Sequence, residues 1–139
     1  EWLTALGNTF HLGEFWSRSY LGLAGPGFVA EGLPAHGSLL LRCTTASSDG
    51  SPLLVGSTLH IGMGRAEVSR LVSSPDGITL DLADAGARDG ELHILSYRPL
   101  ELTRVEGVED ARLEKCNGIW VLHLRGRRQG TQQICCTCV

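Results

Sequence analysis

The chain has 139 residues, 42% hydrophobic and 19% charged, enough for one ordinary domain, or one plus a partial one, and too apolar to remain disordered. A formal net charge of −3 excludes the broad basic field that phosphate neutralisation needs, so nucleic acid is not an expected partner. No apolar run approaches the roughly 20 residues of a membrane-spanning helix, and no secretory signal opens the chain. The expectation is a soluble protein. The start at Glu1 and Trp2 reads as a processed, trimmed or excised product.

Eighteen glycines punctuate the whole length, leaving few windows for a helix of ordinary size. In chain order, an aromatic-rich stretch over 10–21 precedes two expected strands at 27–31 and 38–43. The segment 44–52, rich in Thr, Ser, Gly and Asp, reads as a surface linker. Beyond it, 66–73 and 77–82 alternate apolar and polar side chains around the turn signal Ser74-Pro75-Asp76-Gly77, which predicts an antiparallel hairpin. Residues 84–90 read as a loop, and 91–98 and 100–105 as strands separated at Pro99. Asn117-Gly118 between 111–115 and 119–125 is the strongest hairpin signal, because both residues accept the positive φ of a type I′ turn. Ile119 to Leu124 is apolar on both faces and belongs inside its sheet.

The fold class is therefore all-β, an antiparallel β-sandwich or a partly open barrel of short strands. Its organisation reads as a partial sandwich segment over 1–43, the linker 44–52, a sandwich unit over 53–134 and a cysteine-rich tail over 135–139. Five cysteines, Cys43, Cys116, Cys135, Cys136 and Cys138, are odd in number and form no disulfide framework. Three thiols in a tail cannot by themselves close a tetrahedral metal shell, so the tail is expected to be frayed and no metal or other cofactor is expected.

Two stretches carry a family resemblance. Gly13-Glu14-Phe15-Trp16-Ser17-Arg18-Ser19-Tyr20-Leu21-Gly22, followed by Gly32-Leu33-Pro34-Ala35-His36-Gly37-Ser38-Leu39-Leu40-Leu41-Arg42, resembles the end of the β-sandwich domain in α-galactosidase-type (melibiase-like) glycoside hydrolases. Gly56-Ser57-Thr58-Leu59-His60-Ile61 is similar to the opening of a further β-domain in some members. The resemblance implies a C-terminal region that lies beyond the catalytic β/α-barrel. No alternating strand and helix pattern of such a barrel exists here, and the family's nucleophile and acid have no counterpart.

Candidate chemistry is correspondingly scattered. Asp81 with Asp84, or Glu109 with Asp110, could be paired as glycosidase carboxylates, but each also reads as a solvated turn residue. His60, His93 and His123 fall in expected strands and could meet on a sheet as metal ligands or a general base; the simpler reading is half-exposed sheet histidines. Ser17, Ser19, Ser38 and Ser57 lack a local base. Trp16 and Tyr20, with His36 in its turn, are the candidate carbohydrate-binding residues, since a pyranose stacks on an aromatic ring. The simpler reading of Trp16, Tyr20 and Trp2 is as core or interface residues. The expected function is a non-catalytic accessory β-sandwich with weak carbohydrate binding; the alternative is a small glycosidase, esterase or lactonase with a site on the sheet or at a dimer interface. Incomplete sheet edges predict a homo-oligomer.

Overall fold

Period-two alternation is the dominant local signal, and the chain answers it with strands alone. The computed structural model describes residues 9–25, 27–83, 89–127 and 130–139, which form eleven strands: β1 Phe10–Glu14, β2 Ser19–Ala24, β3 Leu41–Thr45, β4 Leu53–Ser57, β5 Val68–Ser74, β6 Gly77–Leu82, β7 Gly90–Leu95, β8 Leu100–Glu106, β9 Val108–Cys116, β10 Ile119–Arg127 and β11 Gln132–Cys138. They make three antiparallel sheets: a front sheet β2-β1-β3, a middle sheet β4-β7-β10-β9 and a back sheet β5-β6-β11-β8. None closes into a barrel, and the all-β, antiparallel sandwich read from sequence holds.

The main core lies between the middle and back sheets. Leu54, Leu92, Ile94, Leu122 and Leu124 face Ile78, Leu80, Leu82, Leu100, Ile134, Cys136 and Cys138, and each large aliphatic side chain buried there contributes about 1.5–3 kcal/mol. A second, smaller core of Val55, Leu95, Ile119 and Val121 forms on the opposite face of the middle sheet, with Tyr20 and Leu53 packed against it.

Local sequence explains the turns. Asn117 (φ 48°) and Gly118 (φ 84°) adopt the positive-φ pair expected between β9 and β10, and Pro75-Asp76 joins β5 to β6 as read from sequence. Three expectations are corrected. Residues 27–31 form no strand; Gly27, Gly32 and Pro34 leave little continuous alternation to pair. His60 sits in a turn following β4, where its Nδ1 accepts a hydrogen bond from the Gly62 amide at 3.0 Å. The cysteine tail is not frayed: β11 is an interior strand between β6 and β8, because Ile134, Cys136 and Cys138 supply one apolar face at period two.

The front sheet is fastened largely by polar groups. Glu14, 3% exposed, accepts hydrogen bonds from the Ser17 amide (2.6 Å), the Ser17 hydroxyl (2.7 Å) and the Leu40 amide (3.3 Å). His11, also buried, shares a 2.7 Å hydrogen bond with the Tyr20 hydroxyl. Arg42 Nε and the Thr44 hydroxyl both donate to the Leu54 carbonyl, each at 3.0 Å, and Arg42 Nη1 donates to the Met63 carbonyl at 2.6 Å. Gly13 lets the sheets approach: a Cβ there would overlap the Val55 carbonyl.

Gly13→Ala should therefore destabilise the protein by about 1–3 kcal/mol through overpacking, whereas Gly27→Ala, with nothing near its Cβ, should be close to neutral; urea unfolding midpoints compare the two. Acid should loosen the front sheet in two stages. Burial holds His11 below its ordinary 6.5, so the unfolded chain takes up the proton first and stability falls as pH drops below 6.5 towards the lower folded value. For Glu14, burial pushes the carboxyl up, but the hydrogen bonds from Ser17, Trp16 and Leu40 outweigh it and hold it below 4.5. Its contribution is lost as pH falls below 4.5. Thermal melts from pH 8 to 3 should lose the first stage in His11→Gln and the second in Glu14→Gln.

Candidate functional site

Only part of the far face of the middle sheet is apolar. Along β10, Ile119 and Val121 enter the smaller core, and the next residues on that face, His123 and Arg125, are polar. Ladder pairing sets Arg112 opposite His123 and Asp110 opposite Arg125 across β9, and Glu91 opposite His123 across β7.

These side chains form one continuous chain of contacts. His93 Nε2 meets Glu91 Oε2 at 3.2 Å; Glu91 Oε1 faces His123 Nδ1 at 3.4 Å; His123 Nε2 meets Glu114 Oε1 at 2.9 Å; and Glu114 Oε2 pairs with Arg112 at 3.3 Å. Exposure rises from 5% at the His93 side chain to 67% at Arg112. Gly56 gives the buried ring its room, since a Cβ there would stand 3.0 Å from His93 Nδ1. A neutral imidazole carries one N–H, so the two contacts of His123 are both hydrogen bonds only when the ring is cationic.

Two shallow hollows open beside this chain. One, about 260 Å³, includes Arg18, Asp89, Glu91, His123 and Arg125 in its lining; the other, about 250 Å³, is lined by Asp110, Arg112, His123 and Arg125. Asp89 Oδ1 accepts the Gly126 amide at 2.8 Å. Arg18, Asp110 and Arg125 make no side-chain hydrogen bond or ion pair among the described residues, which leaves donors and acceptors of both signs available in one groove. The β1–β2 turn reaches this groove through Arg18, whose φ of 55° belongs to the tight reversal at 15–18.

Of the residues expected to bind carbohydrate, Trp16 lies on that same turn, 57% exposed, with Phe15 edge-on to its ring at a centroid distance of 5.0 Å. Tyr20 is half-buried and committed to His11 and the smaller core. His36 is exposed at the Pro34–Gly37 turn with φ 64°. Trp16 and Tyr20 therefore share the β1–β2 hairpin but play different parts, and His36 sits on the separate connection before β3.

The other candidates separate. Asp81 pairs with Arg70 (3.8 Å) and accepts from Gln133 (2.8 Å); its expected partner Asp84 lies outside the described residues. Glu109 and Asp110 are consecutive on β9 and so point to opposite faces. The Ser17 hydroxyl serves Glu14, and the Ser57 hydroxyl accepts the Leu59 amide. All five cysteines are free. Burial, then the neighbouring Cys135 and Cys138, pushes the Cys136 thiol up to about 12, so it stays protonated and is a poor metal ligand. Among the described residues no group of three or more His, Cys, Asp or Glu side chains is arranged to hold a metal ion.

Comparison with protein-family models, curated proteins and solved structures finds no match to this chain.

Glu91→Leu should cost about 1–3 kcal/mol, because it strands the buried His93 nitrogen without an acceptor. Arg112→Ala, at the wet end of the same chain, should change stability by less than about 0.5 kcal/mol. Paired thermal or urea denaturation of the two variants measures that gradient.

Proposed function

We propose that this chain is a non-catalytic accessory β-sandwich derived from a glycoside hydrolase, binding carbohydrate weakly in the groove beside the β1–β2 turn. The observation that carries the non-catalytic reading is the place of the His123 ring. Glu91, which lines the groove, and Glu114 beside it are each engaged by the same imidazole. Glycoside hydrolysis needs two carboxyl groups about 5–5.5 Å apart, or about 6.5–9.5 Å apart with a water between them, flanking an open sugar site. The His123 ring, in contact with both carboxylates, supports the reading that this pair does not flank an open sugar site.

Binding draws on two features. Trp16 offers an exposed ring face braced by Phe15, an apolar platform for a pyranose. Arg18, Asp110 and Arg125 supply unengaged donors and acceptors, the chemistry that recognises sugar hydroxyls. The resemblance over residues 13–22 and 32–42 agrees with a module that follows a catalytic domain.

Calorimetry with soluble galacto-oligosaccharides should give binding in the millimolar range, weakened about tenfold, or about 1.4 kcal/mol, by Trp16→Ala and likewise by Arg125→Gln. Chromogenic glycosides and esters should not turn over. Turnover abolished by His123→Ala would overturn the non-catalytic reading, and an absence of binding to any sugar in an array would overturn the binding one.

A further inference from the structure

The far face of β10 carries a longer feature than the two hollows beside His123. A third hollow, about 200 Å³, lies between the β1–β2 turn and the β9–β10 hairpin, and its lining includes the buried Ile119 and Val121 with Ser19, Tyr20 and Cys116. It shares Arg18 with the hollow of about 260 Å³, which in turn shares His123 and Arg125 with the one of about 250 Å³. Each by itself is smaller than the usual range of about 300–1,000 Å³ for ligand sites, and joined they fall within it.

Strand geometry sets the line they follow. Ile119, Val121, His123 and Arg125 alternate along one face of β10, and at about 3.3–3.4 Å per residue the run from Ile119 to Arg125 spans about 20 Å. Its ends are wet: Cys116 and Asn117 are exposed at one, Asp110, Arg112 and Arg125 at the other. Between them Thr58, Glu91 and His123 are half-buried. A trough that is deepest in its middle and exposed at both ends suits a chain that enters and leaves it.

Resting on the sugar-binding reading above, we propose that the ligand is an internal stretch of a linear, uncharged polysaccharide lying along β10, from the Cys116–Asn117 end to the Asp110–Arg125 end. Charge favours a neutral chain. Among the described residues lining the three hollows, Arg18, Arg112 and Arg125 are matched by Asp89, Glu91 and Asp110, and Glu114 stands beside Arg112 and His123. A balanced set of donors and acceptors suits hydroxyls, each of which gives and takes a hydrogen bond. Strand order decides against a polypeptide as the occupant: β10 is bonded on both edges, by β7 and β9, so the trough presents side chains and not the ladder row that an extended peptide adds to.

The test follows calorimetry and backbone amide shifts of the intact chain with linear galacto-oligosaccharides from monosaccharide to hexasaccharide. Affinity should rise at least about tenfold from disaccharide to hexasaccharide, and the hexasaccharide should shift amides at 116–119 together with those at 110–112 and 123–125. Reducing its terminal sugar to the alditol should leave its affinity unchanged, and Cys116→Leu, at one exposed end, should bring it down towards that of the disaccharide. A monosaccharide that binds as tightly as the hexasaccharide, shifts confined to one hollow, or loss of binding in the alditol would overturn the extended mode while the sugar-binding reading stands. Tighter binding of oligogalacturonides would overturn the neutral chain, and an extended serine-threonine peptide shifting the same amides at lower concentration would overturn the polysaccharide. No binding by any member of the series overturns this proposal and the sugar-binding reading together.

Discussion

β10 is the strand on which everything else is hung. Its alternation feeds two cores at once: Trp120, Leu122 and Leu124 turn to the back sheet, while Ile119 and Val121 turn to the front. An interior strand apolar on both faces is placed between layers, and a slip of one residue would exchange the two sets between cores of different shape and turn His123 and Arg125 towards the main core. The positions of β7 and β9 follow from its ladder, and the back sheet follows from the surface that those strands present together.

The same alternation creates the groove. Where the smaller core ends, the far face of β10 continues as His123 and Arg125, and the ladder delivers Glu91, Arg112, Glu114 and Asp110 beside them. A half-covered sheet face tolerates ionisable groups only if those that are buried find partners. The contact chain from His93 to Arg112 meets that condition, with each inner group partnered by the next one out. Closing the chain gives each of its buried ionisable groups a polar partner.

The front sheet obeys a different rule. Three strands cannot assemble a large apolar core, and this sheet is held by directed polar contacts from Glu14, His11, Arg42 and Thr44 together with the close approach that Gly13 permits. Such fastening is geometrically specific and sensitive to acid.

Local alternation and turn chemistry determined, from sequence alone, that the chain is all-β, that β5 and β6 pair around Pro75-Asp76, and that β9 and β10 pair around Asn117-Gly118. The last turn even fixes the register that sets Arg112 opposite His123. Two features misled: the glycine-rich 27–31 stretch alternates too little to pair, and the terminal cysteines behave in β11 as small core residues, a role their thiol chemistry disguises. Only the tertiary structure decided that β7 lies beside β10, because that pairing joins strands distant in sequence and leaves no local mark. It is this pairing that brings Glu91 and His93 to His123, and so the groove became visible only once the sheets were assembled.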